Sequence, residues 1–368
     1  MTLPTVNDHY LSVLPIIAVA VVVTMACVPL ARWLSFRVGA VAQPGGRHIH
    51  SQPTARLGGL AIMAGFVVAM VCFGRGVQDW GQVVAIAVAV AVLMAVDDIL
   101  GLPYWTKLVI QAVCSLAVAW FFAISINSIT LPGFAFHLAA GAAIPITIIW
   151  LMGMQNSINL LDGVDGLAAG VVAIVGGVLY LAAVNRLGVD PSQGGVILLS
   201  AALIGCCLGF LVFNFAPARI FMGDSGSQLL GMLVGMITIL GVAKITVALA
   251  LFVPVLALAL PITDTAYAIW RRRREGVGIA QADARHLHHR LLELGLTPRE
   301  TAIAFYLITA ILGCIGLAIF GHRKILAVAL ALLVVALGLL VWRIWHRGGF
   351  AFQHRADAET STLDRPGV

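Results

Sequence analysis

Charged residues are scarce in this sequence. Of 368 residues only 10% are Asp, Glu, Lys or Arg, against about a quarter in ordinary soluble proteins, which excludes a water-soluble globular domain. Cysteine is sparse and unpatterned. The six, at 27, 72, 114, 206, 207 and 314, all fall inside apolar runs, which excludes a disulfide framework or zinc module and leaves them as small packing residues. The first ten residues hold no Lys or Arg. Without a positive leader, and with a first apolar run too long for a signal core, the N-terminus does not read as a cleavable signal. No internal repeat is visible, and residues 346–368 form a short polar tail.

What remains is hydrophobic: 61% apolar residues and a mean hydropathy of +1.02. Runs suited to about 30 Å of hydrocarbon fall near 11–31, 57–73, 81–96, 107–125, 139–155, 166–184, 195–213, 228–242, 246–263, 301–320 and 325–345. The expected fold is an all-α polytopic membrane protein of about eleven transmembrane helices, with residues 1–345 as a single transmembrane catalytic domain. If the N-terminus lies outside, the outer loops hold only Arg75, Arg186, Lys244, Arg323 and Lys324 of the 22 Lys and Arg. The positive-inside tendency therefore sets the N-terminus outside and the C-terminus in the cytosol. Topology accounts for most of the +6 net charge without a nucleic-acid partner, and Arg271 to Arg274 suit a stop-transfer signal and anionic lipid.

Polar islands interrupt the apolar runs, and all fall on one side of this topology. They are Asp97-Asp98; the segment Asn156 to Leu167 with Asn156, Asn159, Asp162 and Asp165; Asn214 to Gly226; Asp264; and His286 to Arg290. Ionisable groups at a membrane boundary are costly to desolvate, so such a cluster reads as a working site. Carboxylates repel anionic substrates unless a divalent cation lies between them, and Mg²⁺, with Mn²⁺ as a substitute, prefers oxygen ligands shared with phosphates and water. Metal-assisted phosphoryl transfer is the expected chemistry. Asn156 and Asn159 share a helix face, and Gly163 then breaks the helix and re-aims Asp162 and Asp165. The Gly223-Asp224-Ser225-Gly226 turn, directly before an apolar helix, offers backbone N–H groups where a phosphate could bind.

With these motifs in order, from about Arg47 to His289, the chain resembles the polyprenyl-phosphate N-acetylhexosamine-1-phosphate transferases. The resemblance covers the basic stretch Arg47 to Gly59, Asp97-Asp98 followed by Lys107, the Asn156 to Leu167 segment and Phe213 to Ser227. Gly101 stands where the family's DDxxD form has its last Asp. The resemblance implies that Asp224 binds Mg²⁺ with help from Asn159, that Phe221 stacks on uracil, and that Lys107 contacts the diphosphate. Asp97 becomes the base for the lipid phosphate, with Asp98 beside it. Asn156, Asp162, Asp165, Arg219, Arg47, His48 and His50 would complete the substrate site. His286, His288, His289 and Arg290 would hold the sugar and phosphate, in a form similar to the branch that uses UDP-GlcNAc rather than UDP-MurNAc-pentapeptide. Undecaprenyl phosphate, UDP-GlcNAc and membrane lipids are the implied partners, and a homodimer is left open. The implied product starts an O-antigen, enterobacterial-type or teichoic-acid glycan. The rival from another class, a secondary transporter, requires polar residues near mid-span and related halves; neither is visible.

Overall fold

The computed structural model describes residues 13–42, 53–76, 79–131, 134–188, 190–243, 274, 297–319, 327, 329–343 and 345. Helices dominate because the apolar runs are rich in Ala, Leu, Val and Ile, and in a lipid environment each run must close its own backbone hydrogen bonds. In chain order they are α1 (Leu14–Val38), α2 (Gly58–Phe73), α3 (Trp80–Leu100), α4 (Tyr104–Leu116), α5 (Ala140–Leu161), α6 (Leu167–Arg186), α7 (Gln193–Asn214), α8 (Gly223–Ala243) and α9 (Pro298–Ile319). A further short apolar helix, α10, covers Ala329–Arg343.

Among the described residues, six segments are long and apolar enough to cross a membrane: Leu14–Val38, Trp80–Leu100, Tyr104–Phe121, Gly141–Leu161, Leu167–Val184 and Gln193–Asn214. The chain is a multi-pass membrane protein. Each expected run except 246–263 meets a helix, and 246–263 lies outside the described residues, as do Asp264, Arg271 to Arg273 and the tail 346–368.

Three features depart from the expected all-helical pattern. Between α4 and α5, where the sequence reads as a plain outer loop, strands β3 (Ser128–Leu131) and β4 (Phe134–His137) pair antiparallel, Ser128 opposite His137. The run expected to stay helical to 125 instead ends in a π-turn at Ala117–Phe121. A second small pair, β1 (Val41–Ala42) and β2 (Thr54–Ala55), brackets the basic loop between α1 and α2.

Helix α8 is the axis of the bundle. Every residue from Ser225 to Ile239 is buried, and α8 packs against α2, α3, α5, α6 and α7. Around it α6 lies on α7, α1 lies on α2 and α7, and α9 lies on α6. Large apolar side chains such as Ile149, Leu30 and Val22 are outward and exposed, as expected for surfaces that meet lipid. Close approach at the axis needs small residues. A Cβ on Gly59 would collide with the backbone of Gly226, so α2 and α8 cross there backbone to backbone.

Candidate active site

The last turn of α3 carries Asp97 and Asp98 into the bundle, with 2% and 8% of their surface exposed. The Asp98 carboxylate accepts the backbone N–H groups of Asp224 at 2.8 Å and Ser225 at 2.9 Å. The first N–H groups of a helix have no intrahelical acceptor, and here a carboxylate from another helix satisfies two of them, with its charge matched to the helix dipole. Gly223 makes the approach possible. Its φ is +68°, and a Cβ there would collide with the Arg56 carbonyl and the Asp98 carboxylate. This corrects the expectation that the Gly223 to Gly226 amides await a phosphate: those of Asp224 and Ser225 donate to Asp98, and the N–H of Gly226 donates to the Met222 carbonyl.

Asp97 faces the other way. Its Oδ1 accepts the backbone N–H of Leu102 at 2.9 Å, and its Oδ2 pairs with the Lys107 ammonium at 2.7 Å. The same ammonium pairs with Asp224 Oδ2. On the far side of Asp224, the Asn159 side-chain NH₂ donates to Asp224 Oδ1 at 2.7 Å and to Ser227 Oγ at 2.9 Å. Helices α3, α4, α5 and α8 thus contribute Asp97, Lys107, Asn159 and Asp224 to one cluster at one end of the bundle. Asn159, expected as a metal ligand, here orients Asp224 through its NH₂.

One helical turn deeper lies an amide layer in which the expected Asn156 is joined by two residues that sequence reading missed, Gln111 and Gln228. Gln111 Nε2 donates to Gln228 Oε1 at 3.0 Å, and Asn156 Nδ2 donates to Gln111 Oε1 at 2.9 Å. Gln111 and Gln228 are 1% and 2% exposed. The signal was present in the spacing: Gln111 follows Lys107 by four residues and Gln228 follows Asp224 by four, which places each on the face of a residue already singled out.

The remaining predicted residues divide between anchoring and rim positions. Asp165 Oδ2 accepts the N–H of Ala218 at 2.8 Å, and Asn214 accepts the N–H of Gly166 at 3.1 Å while donating to the Ile220 carbonyl at 2.9 Å. These bonds stitch the turn after α5 to the segment before α8. Phe221 is held through its backbone, donating to Ala55 and accepting from Gly58, with its ring half-buried. Arg56 reaches Asp98 at 3.9 Å from a side chain 42% exposed, a weak pair in that setting. Arg219 is exposed. Half-buried Asp162 has its carboxyl pushed well above the usual carboxylate range, first by burial and then by the charges of Asp224 and Asp98. Arg47, His48, His50, His286, His288, His289 and Arg290 lie outside the described residues.

Two carboxylates sharing one lysine, in a bundle with span-length apolar helices, define the site of a membrane protein that handles a charged group. Comparison with known proteins narrows the class. Residues 80–242 match the family described as Glycosyl transferase family 4. The chain is 31% identical over 307 residues to the probable undecaprenyl-phosphate N-acetylglucosaminyl 1-phosphate transferase of Bacillus subtilis, covering 82% of this chain and 83% of that protein. It is 34% identical over 351 residues to the decaprenyl-phosphate N-acetylglucosaminephosphotransferase of Mycobacterium tuberculosis, covering 86% and 85%. It is 30% identical over 276 residues to the phospho-N-acetylmuramoyl-pentapeptide-transferase of Streptococcus mutans, covering 69% and 79%. The chain belongs to the polyprenyl-phosphate N-acetylhexosamine-1-phosphate transferase family, and it is a transferase.

Proposed function

We propose that this enzyme transfers GlcNAc-1-phosphate from UDP-GlcNAc to undecaprenyl phosphate, giving undecaprenyl-diphospho-GlcNAc and UMP. The observation that carries the reading is the Asp97–Lys107–Asp224–Asn159 cluster, assembled from four helices at one end of the bundle. The names of the Bacillus and Mycobacterium relatives support the sugar and the lipid class.

In the reaction an oxygen of the lipid phosphate attacks the β-phosphorus of the nucleotide sugar. The bond from that phosphorus to the bridging oxygen breaks, and UMP departs with its electron pair. A phosphate monoester has a second pKa near 6, so at neutral pH the nucleophile is already largely dianionic. Asp97 therefore has little proton to remove; its task is to position the Lys107 ammonium, because a bare carboxylate would repel the attacking dianion. Lys107, tethered between Asp97 and Asp224, is placed to follow negative charge as it builds on the diphosphate. A two-step route through a phospho-aspartyl enzyme would be revealed by trapping phosphate on Asp97.

Asp97 and Asp224 direct hard oxygen donors at one point, the point where the Lys107 ammonium stands, and that chemistry suits Mg²⁺. Among the described residues no group of three His, Cys, Asp or Glu side chains is gathered closely enough to hold a metal alone. Such an ion would complete its shell with substrate phosphates and water. When bound, Mg²⁺ supplies charge neutralisation on the diphosphate.

A second reading, UDP-MurNAc-pentapeptide as donor, has the Streptococcus relative in its favour. Purified protein incubated with undecaprenyl phosphate, Mg²⁺ and a panel of UDP-sugars decides between them by UMP release. Release with UDP-GlcNAc is expected. Release only with the pentapeptide nucleotide selects the second reading, and no release with any sugar sinks both. Positive-inside loops support a cytosol-facing site in a bacterial plasma membrane and the eleven-span topology with the N-terminus outside.

A further inference from the structure

Away from the carboxylates, the end of α1 and the segment leading to α8 form the two walls of a cleft of about 470 Å³. That volume falls in the range of small-ligand sites, about 300–1,000 Å³. One wall presents Arg32, Trp33 and Phe36 from α1; the other presents Phe213, Arg219 and Ile220. We propose that this cleft binds the phosphate headgroup of an anionic membrane phospholipid, clamped between Arg32 and Arg219.

The charge pattern suits an anion. Both guanidinium side chains line one cleft, and among the described residues neither is seen paired with a carboxylate. Two unneutralised cations across a gap repel each other. A phosphodiester between them reverses the sign of the interaction, and the planar guanidinium fork suits its paired oxygens. Aromatic faces support the α1 cations: Arg32 lies 6.0 Å over the Phe36 ring and Arg37 lies 5.0 Å over the Trp33 ring.

The apolar surface requires that the anion carry hydrocarbon. Val28 and Pro29 also line the cleft, and Leu30 and Trp33, 62% and 53% exposed, continue along the outer surface of α1. A free phosphate gains nothing from these surfaces, whereas acyl chains do. Trp33 and Phe36 near the end of a span-length helix also stand at the level where aromatic residues meet headgroups.

A lipid in this position would join α1 to the strap that precedes α8. Arg219 donates its backbone N–H to the Phe213 carbonyl, and neighbouring Ile220 is held by Asn214. Five residues after Arg219, the same segment delivers Asp224. The lipid would therefore brace the segment that sets Asp224 without touching the carboxylates.

The test is retention of phosphatidylglycerol against phosphatidylcholine on the purified full-length protein, read by native mass spectrometry, so it does not depend on turnover. The wild type is expected to retain phosphatidylglycerol selectively, and Arg32→Gln and Arg219→Gln should each weaken retention about tenfold, the scale of one charge-assisted hydrogen bond. Arg75→Gln, which makes the same charge change beyond the far end of α2, should leave it intact. Arg32 is exposed, so its variant should remain folded, and a monodisperse elution profile checks this. Equal retention of phosphatidylcholine, or unchanged retention in folded Arg32→Gln, overturns the proposal. Displacement of phosphatidylglycerol by inorganic phosphate would make the cleft a soluble-anion site. One-for-one displacement by undecaprenyl phosphate would make it the acceptor's seat. Either result also overturns the assignment.

Discussion

Asp98→Asn offers the sharpest test of how the site is held together. In the structure Asp98 spends both carboxylate oxygens on α8, accepting Asp224 N–H at 2.8 Å and Ser225 N–H at 2.9 Å. Asparagine keeps one acceptor oxygen. Its NH₂ would then confront an N–H donor that has no other intrahelical acceptor. The loss is one charge-assisted hydrogen bond, about 1.5–3 kcal/mol, together with the charge that complements the α8 dipole, about 0.3–1 kcal/mol. With 8% of the residue exposed, little water can compensate, so destabilisation of about 2–4 kcal/mol is expected. Turnover should fall with it, because the displaced amide belongs to Asp224. The assay pairs unfolding in mixed micelles with UMP release on the same preparation. A variant as stable as wild type yet devoid of turnover would refute the argument, because Asp98 would then be a chemical participant rather than a cap.

Three further outcomes are expected. Asp224→Asn should leave the protein folded while turnover falls on the order of a hundredfold or more, as for loss of a transition-state charge stabiliser; near wild-type UMP release at limiting Mg²⁺ would remove Asp224 from the metal site. Gly59→Ala should cost at least about 1–3 kcal/mol by overpacking, because its methyl group meets the Gly226 backbone, and an unchanged unfolding midpoint would show that α2 and α8 do not cross so closely. Asp162 has a folded-state pKa above its ordinary value, so the folded protein holds that proton more tightly than the unfolded chain does. Its contribution to stability therefore falls as pH rises from the ordinary carboxylate value through the elevated one. Melting curves across that window should drop more steeply for wild type than for Asp162→Asn, and parallel curves would count against the burial of this carboxyl.

The sequence was most informative where physics allows few alternatives. Apolar runs in a charge-poor chain have to become helices, and among the described residues the helices stand where the runs are, apart from ends such as the π-turn at Ala117–Phe121. The hairpin Ser128–Leu131/Phe134–His137 escaped because its two short strands give little alternation to read. At the site, residue types were legible but partnerships were not. Asp97, Lys107, Asn159 and Asp224 stand out as polar residues in apolar surroundings, whereas the capping of α8 by Asp98 joins residues 126 apart in sequence. No local pattern encodes that distance. Gln111 and Gln228 are hard to read because each stands inside an apolar helix beyond the polar islands, although both lie one turn from a recognised residue.

The wide separation of the site's partners also has a consequence for biogenesis. A ribosome delivers α3 and α4 to the membrane well before α8, so Asp97, Asp98 and Lys107 arrive while Asp224 is still unmade. Asp97 and Lys107 are ten residues apart and pair directly, so the α3–α4 hairpin can cancel one of its own charges at once. Asp98 has only the weak contact of Arg56 at that stage; its two hydrogen bonds wait for α8. The early hairpin therefore carries an unsatisfied carboxylate, which keeps its end near water or an insertion chaperone until the axial helix enters. Docking of α8 is then the event that turns a half-inserted chain into an assembled catalytic face.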